Sequence, residues 1–488
     1  MNRGYSMNAI TEITALDCRE TVDRSLPHGK ERIGDTAAGH KSKHGIWMRS
    51  RSLKRAIELL SIAVIAGACM GAASAAQAAD LGGDCCADLE ERVAELEATT
   101  ARKGDRKVSL TISGYVAQEL TWWDDGAESN AYLHGLGPTQ ATHVIFNGNV
   151  QIMPGWMAGY LLRIQNLADN PFGRNASTGE AMNQNSADFN QGLNVQMSFW
   201  YLKSDQLGSV SVGRQANASK SAAMFTDQSG TQIIDNYTFF DGFPQFKLRQ
   251  KGGGYAPGNM TWGQLSYCYS QDAPIGGDCD GIVMNAVRYD SPVFGGFSVS
   301  ASWGEDDDWE LAARYAGKWN DFKINIGVGY SENSDERISG TVVLTSKDSQ
   351  YFQAGGYIEH MPTGLFFHGA YGREDNNDAK LVNGATAPDS RHWYIKSGIR
   401  RNWTPLGATI VYGDYAEYDD QLGPGALALG ATGSSFQRYG GGIAQEIDAA
   451  AMTVYAKYQH YDADVSGVSS LTDLEGLDLI SVGGLINF

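Results

Sequence analysis

The strongest constraint on the fold is a period-two alternation of apolar and polar residues that begins near Lys107. Val108, Leu110 and Ile112 alternate there with Ser109 and Thr111, which is the pattern of a β-strand with two different faces. Similar segments of about ten residues follow along the rest of the chain. We predict eighteen strands, starting near 108 and at 144–152, 157–167, 195–202, 208–215, 245–251, 260–270, 282–289, 297–303, 309–319, 322–330, 351–359, 365–372, 393–403, 408–418, 436–446, 452–461 and 477–488.

The connections between these segments indicate where the strands lie. Short turns rich in Pro and Gly, at 153–155, 205–208, 256–259, 291–295, 361–364 and 404–407, alternate with longer polar loops. Outer-membrane barrels have short turns at one end and long loops at the other, and aromatic residues mark the ends of their strands. We therefore predict an all-β fold, a transmembrane antiparallel β-barrel of 16–18 strands over residues 107–488.

Composition agrees with a barrel and excludes some other classes. The chain has 59 Gly and 23 Tyr among 488 residues, and its formal net charge is −18. An acidic chain without a basic stripe is not expected to bind nucleic acid. One face of each strand meets lipid and the other meets water, so the mean hydropathy of −0.31 does not argue against a membrane location.

The N-terminal part reads as an export signal. Residues 48–55 are rich in Arg and Lys, an apolar stretch follows from 56, and Ala76 and Ala78 supply small residues for cleavage. We expect a signal peptide at 48–78; a transmembrane helix is the alternative. Residues 1–47 have no such pattern, and we interpret them as a mis-assigned start or a removed extension.

Residues 79–106 form the predicted link between signal and barrel. Leu89, Val93, Leu96 and Thr100 follow a heptad spacing, which predicts a short N-terminal coiled-coil helix in the periplasm; the alternative is a solvated linker helix. Four cysteines follow the predicted cleavage site. Cys268 and Cys279 flank a short loop where a disulfide is expected, whereas the adjacent Cys85 and Cys86 suit links between subunits.

Two stretches resemble a known family. Residues 198–215, SFWYLKSDQLGSVSVGRQ, and 288–307, RYDSPVFGGFSVSASWGEDD, are similar to strand-turn-strand segments of Gram-negative general porins, especially alphaproteobacterial ones. The resemblance covers residues 107–488. It implies a homotrimer of barrels, usually of sixteen strands, in which the third outer loop folds inward and narrows each pore.

The resemblance also directs attention to residues of a pore constriction. The loop at 216–244 stands in the matching place, after the fifth strand, and it carries Asp227, Asp235 and Asp241 together with five aromatic rings. We expect its carboxylates to face the lumen and its rings, which belong to Phe225, Tyr237, Phe239, Phe240 and Phe243, to pack on the wall. Arg214 occupies the "GR" position of the family.

Basic residues are expected on the opposite wall of the pore. Alternation turns them away from lipid, where a charge at the bilayer midplane costs about 2–4 kcal/mol. Arg214 is the first candidate for the constriction, followed by Lys247, Arg249 and Arg163. Others expected to face the lumen are Arg288, Arg314, Lys323, Lys396, Arg400 and Lys457. On the second strand, where the family often has another arginine, this chain has Thr142 and His143.

Facing rows of opposite charge predict passive diffusion of ions and small hydrophilic solutes through a water-filled pore in the outer membrane. The histidines are scattered and no nucleophile or phosphate-binding motif occurs, so we expect neither an enzyme nor a cofactor. Expected partners are outer-membrane lipid, lipopolysaccharide and two further copies of the chain. The alternatives are a substrate-selective sugar channel and a barrel-anchored adhesin or envelope tether.

The last residues are expected to close the barrel. Ile480, Val482, Gly484, Ile486 and Phe488 share one face in the alternation, which we assign to lipid. The final strand then pairs with the first near Val108, so that no strand edge remains exposed.

Overall fold

The computed structural model describes residues 100–103, 106–137, 140–166, 184, 192–236, 244–271, 273–279, 283–305, 307–335, 344–378, 380–381 and 384–488. The predicted signal peptide, Cys85, Cys86 and nearly all of the predicted coiled-coil segment lie outside these residues. At the end of that segment, Thr100–Lys103 form a strand that pairs with the first barrel strand.

Nineteen strands make one antiparallel sheet. In the first half of the chain they are β1 (Thr100–Lys103), β2 (Arg106–Asp124), β3 (Ser129–His134), β4 (His143–Met153), β5 (Trp156–Asn166), β6 (Leu193–Ser204), β7 (Gly208–Ala216), β8 (Val283–Asp290) and β9 (Phe297–Gly304). In the second half they are β10 (Trp309–Trp319), β11 (Phe322–Asp335), β12 (Leu344–His360), β13 (Leu365–Asn376), β14 (Lys380–Leu381), β15 (Ser390–Thr404), β16 (Gly407–Asp419), β17 (Gly433–Ile447), β18 (Met452–Ser466) and β19 (Leu477–Asn487).

Sixteen of these strands close into a barrel. Strands β1, β3 and β14 are short additions that pair with β2 and β12, and the other sixteen each pair with two neighbours around the ring. The ring closes where β19 pairs with β2, from Leu479 opposite Trp123 to Asn487 opposite Tyr115. The predicted closure is confirmed, although the partner residues lie further along β2 than Val108. A closed ring leaves no unpaired backbone edge in the bilayer.

The predicted alternation is seen clearly in β11. Ile326 and Val328 are well exposed on the outside, whereas Gly327 and Gly329 are buried on the inside. The closing strand β19 behaves the same way, with Ile486 exposed and Ser481 buried. Among the residues that the structure describes, no helix is both long and apolar enough to cross a membrane.

Short turns lie at one end of the barrel and long loops at the other, as predicted. At one end of the barrel, Met153 and Trp156 flank a two-residue turn, and similarly tight connections join β6 to β7, β10 to β11 and β15 to β16. At the other end, long connections follow β5, β7, β13 and β16. The only α-helix in the described part of the chain, α1 (Pro424–Ala428), lies in one of these long loops.

Two of the eighteen predicted strands are wrong. Residues 245–251 and 260–270 lie inside the long connection between β7 and β8, where they make isolated bridges, such as Lys247 with Thr261, and a short 3-10 helix (Trp262–Leu265). Their alternating apolar residues face a core inside the barrel and not lipid. Removing both gives the sixteen strands observed.

Candidate functional site: the loop inside the barrel

The connection between β7 and β8, residues 217–282, is the inner loop. It follows the fifth strand of the ring, which is the position that the sequence predicted, and it extends well beyond the predicted end at 244. Its first arm is residues 217–236, and its second arm is residues 244–271 with 273–279. The segment 237–243, which contains Asp241, Tyr237, Phe239, Phe240 and Phe243, lies outside the described residues.

The first arm runs along the inner face of the barrel. Ser219 donates from its backbone N–H to Glu310 of β10 at 2.7 Å, and the backbone N–H of Ala223 donates to Gln353 of β12 at 2.8 Å. Further along, Lys457 of β18 donates to the carbonyl of Ile234 at 2.8 Å. The arm therefore crosses the interior from β10 to β18 while remaining bonded to the wall.

Glycines on the inner wall allow this close approach. A Cβ atom at Gly327 of β11 would lie 2.1 Å from the carbonyl oxygen of Ala222, and one at Gly355 of β12 would lie 2.5 Å from that of Ala223. Real Cβ atoms do not come this close to a backbone oxygen. The absent side chains form a notch that receives the first arm, which explains glycine at these lumen-facing positions.

Two buried ion pairs hold the first arm to the wall. Asp227 accepts from Lys396 of β15 at 2.9 Å, with both side chains at most 1% exposed. Asp235 lies 3.4 Å from Arg438 of β17 and accepts from Tyr412 at 2.9 Å. Both carboxylates are thus buried against the wall, which is not the water-facing position that the sequence predicted.

The pKa of Asp227 reflects this pairing. Burial by itself raises the pKa, but the charges of Lys396 and His368, with hydrogen bonds from Lys396 and Ser229, outweigh burial and hold the pKa below its usual value. The carboxylate is therefore kept ionised, and its charge is compensated inside the loop-wall interface.

The second arm fills part of the barrel with an apolar core. Phe246, Leu248 and Trp262 are at most 1% exposed and pack against wall residues such as Tyr418 and Phe436. Under Trp262 the wall presents a row of stacked rings from neighbouring strands, formed by Tyr351, His392, Tyr418, Phe436 and Tyr461. Each ring of this row is buried. The second arm covers the row together with residues of the outer loops, such as Leu422 and Ala426.

A disulfide joins Cys268 to Cys279 within the second arm, as expected, with the two Cα atoms 5.4 Å apart. Both cysteines are buried beside Tyr351 of β12. The cross-link therefore closes the end of the inner loop that leads into β8.

The structure places the predicted basic residues in three different settings. Lys247 and Arg249 belong to the second arm and not to the wall; Arg249 pairs with Asp125 at 2.8 Å and stacks on Tyr255 at 4.1 Å. Arg163 of β5 does face the interior, 3.2 Å from His143. The other lumen predictions are confirmed, with Arg288, Arg314, Lys323, Lys396, Arg400 and Lys457 on the inner faces of their strands.

Arg214 is the clearest disagreement with the sequence prediction. It pairs with Ser198 of β6 and Asn285 of β8, on the same face of β7 as the exposed Val210. Ser211 and Gln215 lie on the opposite face, and they line a cavity inside the barrel. Arg214 therefore points outward, and the alternation of β7 itself carries that signal.

Open space remains on the other side of the barrel. A cavity of about 910 Å³ is lined by inner-face residues of β4 to β8, including Tyr201, Lys203 and Arg288. An adjoining cavity of about 280 Å³ shares Arg288 and Asp290 with it and adds Lys220, Phe225 and Arg314. The sequence did not single out Lys203 or Lys220. Phe225, expected against the wall, is 52% exposed.

In the described part of the chain, no three His, Cys, Asp or Glu side chains group as ligands for a metal ion. The interior instead holds a loop that is bonded to one wall and a cavity with several charged side chains beside the other. Such an arrangement restricts a passage and orients charge across it.

Comparison with known proteins gives a family. The model of the Gram-negative porin family matches residues 62–315 and 311–474. No curated protein matches the chain. Among solved structures, Salmonella typhi OmpF in complex with daunomycin aligns at 13% identity and a TM-score of 0.46, over 80% of this chain and 100% of that one.

Two further structures align over similar lengths. The outer membrane channel DcaP of Acinetobacter baumannii aligns at 9% identity and a TM-score of 0.45, over 80% of this chain and 99% of that one. Outer-membrane expressed OmpT of Vibrio cholerae aligns at 12% identity and a TM-score of 0.45, over 79% and 99%. The family match alone spans well over half of the chain, and the protein is accordingly a member of the Gram-negative porin family, an outer-membrane channel.

Proposed function

We propose that the protein is a diffusion channel for ions and small hydrophilic solutes, with no chemical step. The observation that carries the proposal is the pinned inner loop. Its first arm is fixed to β15 by the Asp227–Lys396 pair. Lys220 and Phe225 of this arm line the smaller cavity, which adjoins the larger cavity lined by β4 to β8. A fixed loop beside a water-filled space sets an upper size for solutes and lets smaller ones pass without a conformational cycle.

Liposome swelling with a graded series of neutral sugars tests this function. We expect the rate to fall steeply with solute size and to rise linearly with concentration. Saturation by one sugar, with competition between sugars of equal size, would contradict a diffusion channel and favour the selective alternative.

The row of stacked rings on the wall helps to distinguish a general channel from the sugar-channel alternative. A row of rings along the wall suits sugar binding only where sugars reach the ring faces. Here Tyr418, Phe436 and Tyr461 are fully buried beneath the second arm. Their arrangement supports a structural role in seating the loop and favours the general channel.

We propose that the functional unit is a homotrimer in outer-membrane lipid, with lipopolysaccharide at the long-loop end. Family membership supports the trimer, and the long polar loops at one end of the barrel support the contact with lipopolysaccharide. Cross-linking of the detergent-extracted protein should give a limit at three chains. A predominant monomer that conducts fully would contradict the trimer.

The tether alternative rests on the predicted coiled-coil segment. Deletion of residues 85–100 separates the two functions, because a channel keeps its conductance whereas a tether loses envelope attachment. We expect unchanged conductance from the deletion variant.

A further inference from the structure

We propose that the open passage prefers anions, although the chain as a whole is strongly acidic. This inference rests on the proposed channel function and adds the sign of its charge selectivity and the class of solute it favours. The sign depends on which charges of the interior face water and which are compensated by a partner.

The loop carboxylates that were expected to supply the negative side of the field across the pore are compensated by basic residues. Asp227 is paired with Lys396, and Asp235 is held by Arg438, Tyr412 and Gln459. These contacts bury the carboxylates between the first arm and β15 to β18. A solute in the cavities on the other side of the first arm is therefore separated from these carboxylates by the arm. Their negative charge is already compensated by the basic partners on the wall.

Another acidic group of the inner loop is also turned away from the passage. Asp278 accepts hydrogen bonds from Ser221 and lies within hydrogen-bond distance of Gln353, and it is buried. On the wall, Glu310 accepts from both the backbone and the hydroxyl of Ser219. Within the described residues, the carboxylates of the inner loop thus face the wall, whereas its Lys220 and Phe225 line the smaller cavity.

The water-filled side carries more bases than acids. The two cavities are lined by three basic side chains that are not fully buried, Lys203, Arg288 and Arg314, and by two carboxylates, Asp205 and Asp290. A fourth base, Lys220, lines the smaller cavity but is itself buried. Asp290 is itself paired with Arg288 at 2.7 Å. A low-dielectric wall with an excess of one sign concentrates the opposite ion.

The arginines of this wall have fixed positions. Arg288 donates to the carbonyls of Ala216 and Asn217 at 3.0 and 3.1 Å, and Arg314 donates to that of Ala218 at 2.8 Å. The last residue of β7 and the first residues of the inner loop therefore hold both guanidinium groups at the edge of the cavity. Their charge is a permanent feature of the passage and does not depend on loop movement.

An aromatic ring stands beside this charge. Phe225 lines the smaller cavity together with Lys220, Arg288 and Arg314, and about half of its side chain is exposed. A ring next to several cations suits a small organic anion that has an apolar part, since the carboxylate is attracted by the bases and the apolar part by Phe225. Small aromatic carboxylates are the solutes that we expect the passage to favour.

Reversal potentials of the full-length protein in planar bilayers, measured in a tenfold KCl gradient, test the sign. We expect chloride to be favoured over potassium in the wild type and the preference to fall several-fold in Lys203→Glu. Lys203 lines the passage without making a bond to the loop, so this variant should fold. Lys380→Glu makes the same charge change at an exposed pair with Asp378, in the connection between β13 and β15, and should leave the potential unchanged.

The solute class is tested with benzoate and benzylammonium, which differ mainly in charge. We expect benzoate to reduce the open-channel current more than benzylammonium does, and Phe225→Ala to remove that difference. A wild-type preference for potassium, an unchanged potential in Lys203→Glu or equal block by the two solutes would overturn the inference. Loss of all stepwise conductance would instead refute the channel function itself.

Discussion

The Nζ atom of Lys396 on β15 lies 2.9 Å from Oδ2 of Asp227 in the inner loop, and neither side chain is more than 1% exposed. The same ammonium group donates to Thr231 and to the backbone carbonyl of Asp235. One lysine of the wall therefore fixes three points of the first arm. Removing one partner of such a pair leaves an uncompensated buried charge.

Lys396→Met is expected to release the first arm. The buried carboxylate of Asp227 then has no cation, which costs about 3–5 kcal/mol. We expect a lower unfolding temperature of the barrel and larger, noisier single-channel currents. Lys380→Met, at the exposed pair with Asp378 in the connection between β13 and β15, serves as the matched control and should resemble the wild type. Quiet currents of unchanged size in Lys396→Met would show that this pair does not hold the loop.

The same pair makes the loop sensitive to acid. The folded-state pKa of Asp227 lies below its ordinary value, so the pair contributes fully above the usual carboxyl range near ~4 and is lost as the pH falls through the lower folded-state pKa. We expect current noise to increase only at strongly acidic pH. Asp227→Asn should show the loosened behaviour already at neutral pH. A wild type that loosens between pH 8 and 6 would point to another group.

The glycine notch predicts a steric effect with a built-in control. Gly327→Ala places a Cβ atom against the carbonyl oxygen of Ala222, and overpacking of this kind costs about 1–3 kcal/mol. Gly356 on the neighbouring strand has nothing within 4 Å of its Cβ position. We expect Gly327→Ala to shift the first arm and change the conductance, and Gly356→Ala to do neither. Equal conductance in both variants would refute the notch.

The Cys268–Cys279 bond should stabilise the return of the inner loop to β8. Its loss is expected to lower the free energy of unfolding by about 2–4 kcal/mol, chiefly because the unfolded loop gains freedom. The double variant Cys268→Ala with Cys279→Ala should unfold at lower urea than the wild type. Adding a reductant during unfolding should bring the wild type to the variant's midpoint and leave the variant unaffected. Coincident midpoints without reductant would contradict this contribution.

The outward position of Arg214 gives a prediction opposite to that from the sequence. Because Arg214 shares the outer face of β7 with Val210, Arg214→Ala should leave conductance and reversal potential unchanged. Arg163→Ala is the comparison, since Arg163 faces the interior beside His143, and it should lower the chloride preference. A large shift of the potential in Arg214→Ala would place that guanidinium inside the barrel.

The barrel itself can be predicted from the sequence because every strand that crosses lipid must turn alternate apolar side chains outward. In β11 the outward Ile326 and Val328 could be assigned from alternation alone. The two false strands show the limit of that rule. Phe246 and Leu248, or Met260 and Trp262, alternate as strand residues do, but they face the core of the second arm. Alternation reveals that one face is apolar and does not reveal what covers it.

The position of the inner loop was predicted, whereas its partners were not. Asp227 and Lys396 are 169 residues apart, and only the closed ring brings β15 across from the loop. Arg214 was misplaced because the resemblance outweighed the alternation of its own strand. Lys203 and Lys220 cannot be picked out from the sequence, because no local pattern separates them from the other basic residues.

The central claim is that this chain forms a restricted, permanently open pore in each of three subunits. Planar-bilayer recording of the purified protein at low concentration tests it most directly. We expect single insertions that close in three equal steps under high voltage, with a stable current between the steps. Insertion without stepwise conductance would contradict the claim of an open pore in each subunit. A single large closing step whose size is the same in the wild type and in Lys396→Met would also contradict it.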